Sequence, residues 1–210
     1  MRNIIINVGR QFGSGGYDVA RMLAERFGCK FYDKELLNLA ARESGFSERF
    51  FEKMDERRRF FRTFIDIHLP LVTDNPLHGN KFTQEGLFLF QSQAIRKAAD
   101  EGSCVFVGRC ADYILRDHDN AVSVFITADI DERIAAVARR EQCTPETARK
   151  IIRDKERGRA SYYNYYTGRK WGHGSSYDLC VNSSVLGLTA TADFIAEFVN
   201  RKMKNEELCD

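Results

Sequence analysis

A glycine-rich segment with the composition of an anion-binding loop follows the first apolar run of the chain. Residues 4–8 are apolar apart from one asparagine, and the sequence GRQFGSGGYD occupies residues 9–18. Glycines permit positive φ angles and a close approach of the backbone to a ligand. Successive backbone N–H groups, together with the N-terminus of the following helix, form a nest for phosphate. A plain strand-to-helix turn is the alternative interpretation. The residues predicted to bind phosphate are Arg10, Gln11, Phe12, Gly13, Ser14, Gly15, Gly16 and Tyr17.

The segment departs from the usual phosphate-loop pattern at the residue that supplies its cation. In the pattern G-x-x-x-x-G-K-[ST], a lysine follows the last glycine. If Gly15 is that glycine, Gly16 takes the place of the lysine and Arg10 takes the place of the first glycine. Tyr17 and Asp18 then stand where a hydroxyl residue would help to hold Mg²⁺. We therefore expect arginines to supply the missing positive charge, beginning with Arg10 beside the loop.

Arginine dominates the positive charge of the chain. There are 22 arginines and 10 lysines, and the guanidinium group forms paired hydrogen bonds with phosphate and carboxylate. The excess favours an anionic ligand, and a bias in codon use is the alternative. The net charge of only +2 argues against general binding of nucleic acid. The aromatic and basic stretch at residues 159–173 is the feature that a nucleic-acid module would use.

Two candidate site residues directly follow predicted strands. Arg109 comes after the apolar run 104–107, and Asp33 comes after the run 30–32. In a parallel α/β sheet, the carboxyl ends of the strands hold the ligand. A carboxylate there can hold a metal-bound water or orient an acceptor phosphate, and the alternative for Asp33 is a helix N-cap. Asp112 is a candidate partner for Arg109.

Three further arginines lie near the end of a predicted helix. Arg153 and Arg157 are four residues apart and share a helix face, and Arg159 follows them. Like charges this close together repel each other unless an anion lies nearby, so these arginines are candidates for phosphate contact. Neutralisation by Asp154 and Glu156 is the alternative.

The predicted secondary structure alternates between strands and helices. Short unbroken apolar runs predict strands that are buried on both faces, and they occupy residues 4–8, 30–32, 104–107, 121–127 and 179–181. Helical patterns occupy residues 17–27, 34–44, 83–101, 130–141, 145–159 and 189–204. This alternation predicts a doubly wound α/β fold. The segments 47–82 and 159–177 fit the scheme poorly and are interpreted as excursions that line the ligand site.

The remaining reactive side chains give no sign of a metal centre. The six cysteines are scattered and the four histidines form no spaced cluster, so a zinc site is not expected. The chain shows no signal peptide and no apolar run of about 18 residues, which predicts a cytoplasmic protein with reduced thiols and no membrane partner. For the tyrosine-rich stretch at residues 162–166, stacking on a base, internal packing and a homodimer contact are the alternatives.

Several long segments resemble the cytidylate kinase-like family of P-loop nucleoside monophosphate kinases. The stretch GRQFGSGGYDVARMLAERFGCKFYDKELL is similar to the family's first strand, loop and helix. Further similar segments are VFVGRCADYIL, FITADIDERIAAVARREQ, RDKERGRASYYNYYTGRKWG and YDLCVNSS. The resemblance spans nearly the whole chain except residues 47–82. True cytidylate kinases differ in having the loop lysine and a D-[ST]-G motif, in place of which this chain has Asp33-Lys34-Glu35.

The resemblance implies a single kinase-like domain over residues 1–210. It would contain a parallel sheet of about five strands with helices on both faces, an acceptor-side excursion at residues 47–82 and a lid at residues 143–176. The implied reaction is ATP- and Mg²⁺-dependent phosphoryl transfer to a nucleoside monophosphate such as CMP. The alternative, favoured by the missing lysine, is a nucleotide-binding regulatory or sensor protein without kinase activity. The implied roles are catalysis for Arg10, Asp33, Arg157 and Arg159, acceptor contacts for Asp33, Arg109 and Asp112, and lid contacts for Arg153, Arg157 and Arg159.

Overall fold

The computed structural model describes residues 3–33 and 80–207. Its strands are β1 (Ile5–Arg10), β2 (Lys30–Tyr32), β3 (Cys104–Val107), β4 (Ala121–Thr127) and β5 (Leu179–Asn182). Its helices are α1 (Gly16–Phe27), α2 (Asn80–Glu101), α3 (Ala111–Ile114), α4 (Ile130–Glu141), α5 (Pro145–Thr167) and α6 (Ser183–Glu207), and a short 3₁₀ helix spans Gly174–Ser176. The predicted helix at residues 34–44 and the excursion at 47–82, apart from its last three residues, lie outside the described residues.

The described strands form one parallel five-stranded sheet in the order β2-β3-β1-β4-β5. The predicted α/β fold is therefore confirmed. Because every strand runs in the same direction, all carboxyl ends lie along one edge of the sheet. The described residues that directly follow β1, β2, β3 and β4 meet at that edge, which is where ligands bind in such folds.

The two faces of the sheet are covered by different helices. On one face, Ile6 and Val8 of β1 pack with apolar residues of α1 and α6. On the other face, Ile5 and Phe106 pack with residues of α2, α3 and α5. Burial of each such side chain contributes about 1.5–3 kcal/mol. Burial on both sides makes β1, β3 and β4 largely apolar runs, which explains why the sequence pattern located these strands to within two residues.

Helix α5 is longer than its sequence pattern predicts. It starts as expected, with the Thr144 side chain accepting a hydrogen bond from the N–H of Thr147 and with Pro145 in the first turn. Instead of ending near residue 159, it continues to Thr167 and stops at Gly168, which has a φ of 66°. Arg159 therefore lies within the helix. The extension is stable because Tyr163 and Thr167 continue the buried face.

Helix α6 also begins earlier than expected, at Ser183 instead of residue 189, and it contains a break at Gly187, where φ is 74°. This first turn brings Ser183 and Leu188 against the glycine-rich loop. Within the part of the chain described here, no helix combines the length and the hydropathy that crossing a membrane requires.

Candidate active site

The glycine-rich loop, residues 10–17, is held in place by hydrogen bonds to β4 and α6. The backbone N–H of Gln11 donates to the carbonyl of Ile126 over 2.9 Å, and the Gln11 side-chain oxygen accepts from the N–H of Ala128 over 3.2 Å. The hydroxyl of Ser183 donates to the carbonyl of Ser14 over 2.8 Å. The loop is thus a fixed part of the scaffold.

The inner surface of the loop offers free donors. Gly13 and Gly15 have φ angles of 85° and 70°, in the left-handed region that favours glycine. No described residue accepts a hydrogen bond from the N–H groups of Gly13, Ser14 or Gly15. These donors lie at the N-terminus of α1, where the helix dipole favours an anion. This is the arrangement predicted for a phosphate nest.

Arg10, the last residue of β1, lies beside this nest. Its aliphatic stem lies against Gly16, and its guanidinium group reaches Gly108 at the end of β3. Burial, followed by the charges of Arg159 and Arg109, lowers the pKa of Arg10 to about 9, and Asp33 partly opposes this effect. The group remains a cation at neutral pH, surrounded by more positive than negative charge.

Arg159 reaches the loop from the middle of α5. It donates a hydrogen bond from Nη1 to the carbonyl of Arg10 over 3.1 Å, and its guanidinium group lies 5.1 Å from the ring centre of Phe12. Burial lowers the pKa of Arg159 to about 10; the Glu156 charge opposes this, whereas Arg140 and Arg109 add to it. Arg10, Arg109 and Arg159 therefore form a cluster that is poorly neutralised, and such a cluster attracts a multiply charged anion.

The structure separates the three arginines that the sequence grouped together. One face of α5 carries Ile152, Glu156 and Arg159 toward the protein, whereas Arg153 and Arg157 are exposed on the other face. The spacing of 100° per residue explains this division, because Arg153 and Arg157 share a face with each other but not with Arg159. Of these three arginines, Arg159 is the one that contacts the glycine-rich loop.

Arg109 is presented by an unusual backbone. Gly108, Arg109 and Cys110 have consecutive φ angles of 76°, 60° and 58°, and left-handed φ angles are uncommon for residues other than glycine. The turn directs the Arg109 side chain to a position 5.4 Å from the ring centre of Tyr162. Cys110 is buried, which raises the pKa of its thiol to about 12, so it is not a nucleophile at neutral pH.

Asp33 lies at the same edge, directly after β2. The hydroxyl of Tyr17 donates to Oδ2 of Asp33 over 3.2 Å, and the carboxylate contributes to the electrostatic environment of Arg10. The structure thus brings together Arg10, Asp33 and Arg109, which the sequence placed after three different strands. Adjacent carboxyl ends in a parallel sheet account for this meeting.

Asp112 is not part of this cluster. Among the described residues, no ion pair joins it to Arg109; instead, the hydroxyl of Tyr163 donates to Oδ2 of Asp112 over 2.7 Å. Burial raises the pKa of the Asp112 carboxyl, and the Tyr163 hydrogen bond opposes this. Asp112, Asn7 and Tyr177 line a polar cavity of about 380 Å³ that also contacts the start of β4. The predicted pairing of Asp112 with Arg109 is therefore corrected, because Asp112 bonds to Tyr163 and lines this cavity, whereas Arg109 lies over the ring of Tyr162.

Two charged residues that the sequence interpretation did not assign to the site connect α5 to the loop. Nη1 of Arg133, on α4, lies 2.6 Å from Oε1 of Glu156. The same Glu156 oxygen accepts a hydrogen bond from the backbone N–H of Phe12 over 3.3 Å. Arg140 also lies over Phe12, with its guanidinium carbon 4.7 Å from the ring centre. No motif marks Arg133 or Glu156, because their partners are distant in sequence.

The tyrosine-rich part of α5 packs on α2. The rings of Phe88 and Tyr166 are stacked with centres 4.0 Å apart, and the hydroxyl of Tyr162 donates to Oε1 of Gln91 over 3.1 Å. Of the three interpretations of this stretch, internal packing is the one that these contacts support. Tyr162 also borders Arg109, so the packed rings form one wall of the site.

The loop and its arginines fit a phosphate chain. The nest supplies unpaired N–H donors, and the three guanidinium groups supply positive charge. For a metal ion, the fit is weaker: no group of three or more histidine, cysteine or acidic side chains forms a metal site within residues 3–33 and 80–207. Asp33 is a carboxylate beside the cluster that is placed to hold Mg²⁺ through water.

Comparison with known proteins agrees with this geometry. The model of the cytidylate kinase-like family matches residues 5–185. A cytidylate kinase from Methanopyrus kandleri is 25% identical over 214 residues, covering 98% of this chain and 97% of the relative. The crystal structure of an uncharacterized protein from Eubacterium ventriosum is similar with a TM-score of 0.74 and 32% identity, covering 95% of this chain and 99% of that one.

A more distant similarity extends to kinases of other substrates. The crystal structure of a gluconokinase from Sinorhizobium meliloti has a TM-score of 0.58 and 12% identity to this chain, covering 100% of this chain and 99% of that one. At this identity, the likeness shows the fold alone.

Proposed function

The chain belongs to the cytidylate kinase-like family, and we propose that it transfers a phosphoryl group from ATP to a nucleoside monophosphate, most readily CMP. The observation that carries the proposal is the meeting of the N–H nest with Arg10, Arg109 and Arg159 at one edge of the sheet. Phosphoryl transfer needs little beyond positioning and positive charge around the moving group.

Each group in the cluster has a proposed task. The nest binds the donor phosphates, Arg109 binds the acceptor phosphate, and Arg10 and Arg159 stabilise the charge of the group in transit. An oxygen of the acceptor attacks the terminal phosphorus of ATP, the bond from that phosphorus to the bridging oxygen breaks, and ADP leaves with the electron pair. Bound Mg²⁺ would neutralise part of the phosphate charge, with Asp33 holding it through water.

A screen of acceptors tests this function. The protein is incubated with ATP, Mg²⁺ and each of a set of nucleoside monophosphates and sugar acids, and ADP formation is measured. We expect CMP to give the highest turnover. Arg109→Ala should cost about 1.5–3 kcal/mol in acceptor binding. The KM for the acceptor should therefore rise about 10- to 150-fold, while the KM for ATP changes little. The exposed Arg96→Ala serves as the matched control.

The second candidate function is nucleotide binding without catalysis. It is favoured by Gly16, which leaves the position of the loop lysine without a cation. If ATP binds but no acceptor of the set is phosphorylated, this second function replaces the first. If Arg109→Ala weakens ATP and acceptor equally, the acceptor site lies elsewhere.

A further inference from the structure

The space above Gly16 is already filled by another residue of the chain. A Cβ atom placed on Gly16 would lie 2.6 Å from Cβ and 3.1 Å from Cγ of Arg10. The first distance is shorter than carbon atoms tolerate and the second is unusually tight, and the obstructing atoms belong to the rigid base of the Arg10 side chain. Gly16 is the first residue of α1 and is not among the residues with positive φ, so its backbone does not require glycine. The obstacle to a side chain at this position is Arg10.

The other end of the same side chain lies against a second glycine. A Cβ atom on Gly108 would collide with Nη1 of Arg10 and lie 3.5 Å from its Cζ. Gly108 has a φ of 76°, which favours glycine in any case. Arg10 therefore crosses from the loop, at Gly16, to the turn that carries Arg109. Its hydrophobic stem occupies the lysine position, and its charge lies between the loop and the acceptor arginine.

We infer that Arg10 takes the place of the loop lysine, and that Gly16 is glycine because the Arg10 side chain occupies the space that a side chain at residue 16 would need. This inference deepens the proposed function and rests on it for the identity of the ligand. The cation comes from the end of β1 instead of the start of α1. Arg10 and residue 16 thus form an exclusive pair: one of them carries the cation, and the other must be small.

The position of the charge also indicates what the cation contacts. The Arg10 guanidinium group lies beside Gly108 and near the charges of Asp33 and Arg109, on the side of the loop that faces β3 and β2. A phosphate chain in the nest would meet this group at the end that points toward Arg109. The ligand class is therefore a polyphosphate whose terminal group lies between the two arginines.

A double-mutant cycle on Arg10 and Gly16 tests the inference without turnover. The variants are Gly16→Ala, Arg10→Gly and the two combined, and the measurements are the melting temperature without ligand and the affinity for inorganic tripolyphosphate by calorimetry. Gly16→Ala alone should lower both, since the methyl group displaces Arg10. In the Arg10→Gly background the same change should cost little, because only the Ser14 hydroxyl remains close, at 3.3 Å. Gly158→Ala is the matched control, since nothing lies within 4 Å of its Cβ position.

A second set of variants moves the cation from residue 10 to residue 16. Arg10→Gly should weaken tripolyphosphate at least about tenfold, the loss expected for a charge-assisted hydrogen bond. Gly16→Lys alone places two side chains in one space and should also bind less tightly than the wild type. The combined Arg10→Gly, Gly16→Lys variant restores a lysine loop and should bind tripolyphosphate more tightly than either single variant.

The inference is overturned if Gly16→Ala has the same effect in both backgrounds, or if the combined lysine variant binds no better than Arg10→Gly. These outcomes differ from a failure of the proposed function. In one such outcome, the wild type binds tripolyphosphate and the Arg10 and Gly16 substitutions show the expected coupling, while no acceptor is phosphorylated. That result supports the exclusive pair and contradicts only the proposed kinase activity.

Discussion

Arg159 is a cation of α5 that contacts the glycine-rich loop at two residues, Arg10 and Phe12. The Arg159 guanidinium group both covers the Phe12 ring and bonds to the carbonyl of Arg10. Its position is therefore set by the loop, which is itself held by β4 and α6. A cation fixed beside the loop is placed to meet the charge of a phosphoryl group in transit.

The consequence for catalysis is a specific prediction for Arg159. Arg159→Ala should lower kcat by at least roughly a hundredfold while ATP affinity changes little, because the interaction is made mainly in the transition state. Steady-state kinetics and calorimetric ATP binding provide the measurements. The exposed Arg149→Ala on the same helix is the control. An Arg159→Ala enzyme with near-normal kcat would show that the charge comes from elsewhere.

A substitution of Arg157 tests whether Arg159 alone, or both arginines, supply the catalytic charge. The sequence interpretation gave Arg157 and Arg159 the same catalytic role, but Arg157 is exposed on the opposite face of α5. If Arg157→Ala reduces kcat as much as Arg159→Ala does, α5 must rotate during turnover. If only Arg159→Ala does so, the conformation described here is the one that supplies the charge.

At the scale of elements, a largely buried ion pair between Arg133 and Glu156 links α5 to α4. Arg133 and Glu156 have side chains that are 8% and 23% exposed, and Nε of Arg133 has no partner among the described residues. A buried arginine that loses its carboxylate is costly, because the remaining charge stays out of water. The loop contact from Phe12 to Glu156 would be lost at the same time.

We therefore expect Glu156→Ala to destabilise the protein by about 3 kcal/mol. Urea denaturation measures the free energy of unfolding. Glu141→Ala is the matched control, since the Arg140–Glu141 pair is 55% and 44% exposed and an exposed pair contributes at most about 1 kcal/mol. Equal effects of the two substitutions would show that the buried Arg133–Glu156 pair stabilises the protein no more than an exposed pair does.

The elements also show how much of the structure could be predicted from the sequence. All five described strands were predictable because each is a short apolar run; the central ones, as at residues 104–107, are buried on both faces, whereas β2 and β5 at the edges are partly exposed. The end of α5 was not predictable, because Gly158 and the tyrosines after it resemble a loop, whereas the packing of Tyr163 and Tyr166 continues the helix. Arg10, Asp33 and Arg109 were predicted as site residues because each lies within two residues of the end of a predicted strand. Glu156 was missed as a site residue, since its role depends on Phe12 and Arg133, which the chain brings close only on folding.

For the molecule as a whole, a ligand of the loop should stabilise the fold. A ligand that binds only the folded state adds about 2.7 kcal/mol at a concentration of 100 times its Kd. ATP or tripolyphosphate should therefore raise the melting temperature of the wild type. Differential scanning fluorimetry over a range of ligand concentrations is the measurement.

Gly15→Val should abolish this ligand-induced shift. Gly15 has a positive φ, and a side chain there would also meet Leu188 at the start of α6, so the variant should melt at a lower temperature even without ligand. The shift, measured from each variant's own baseline, is the relevant quantity, and Gly158→Ala should keep it. A full shift in Gly15→Val would place the phosphate site outside the loop.

The crowding of Arg10 against Gly16 restricts how this loop can change in evolution. Because the two positions share one space, no single substitution converts the arginine form of the loop into the lysine form. One order of mutation passes through a loop with two side chains in conflict, and the other passes through a loop without this cation. Both intermediates bind phosphate less well than either end point. A lineage that has acquired the arginine form is therefore separated from the lysine form by a fitness valley, and the two forms are expected to persist as distinct branches.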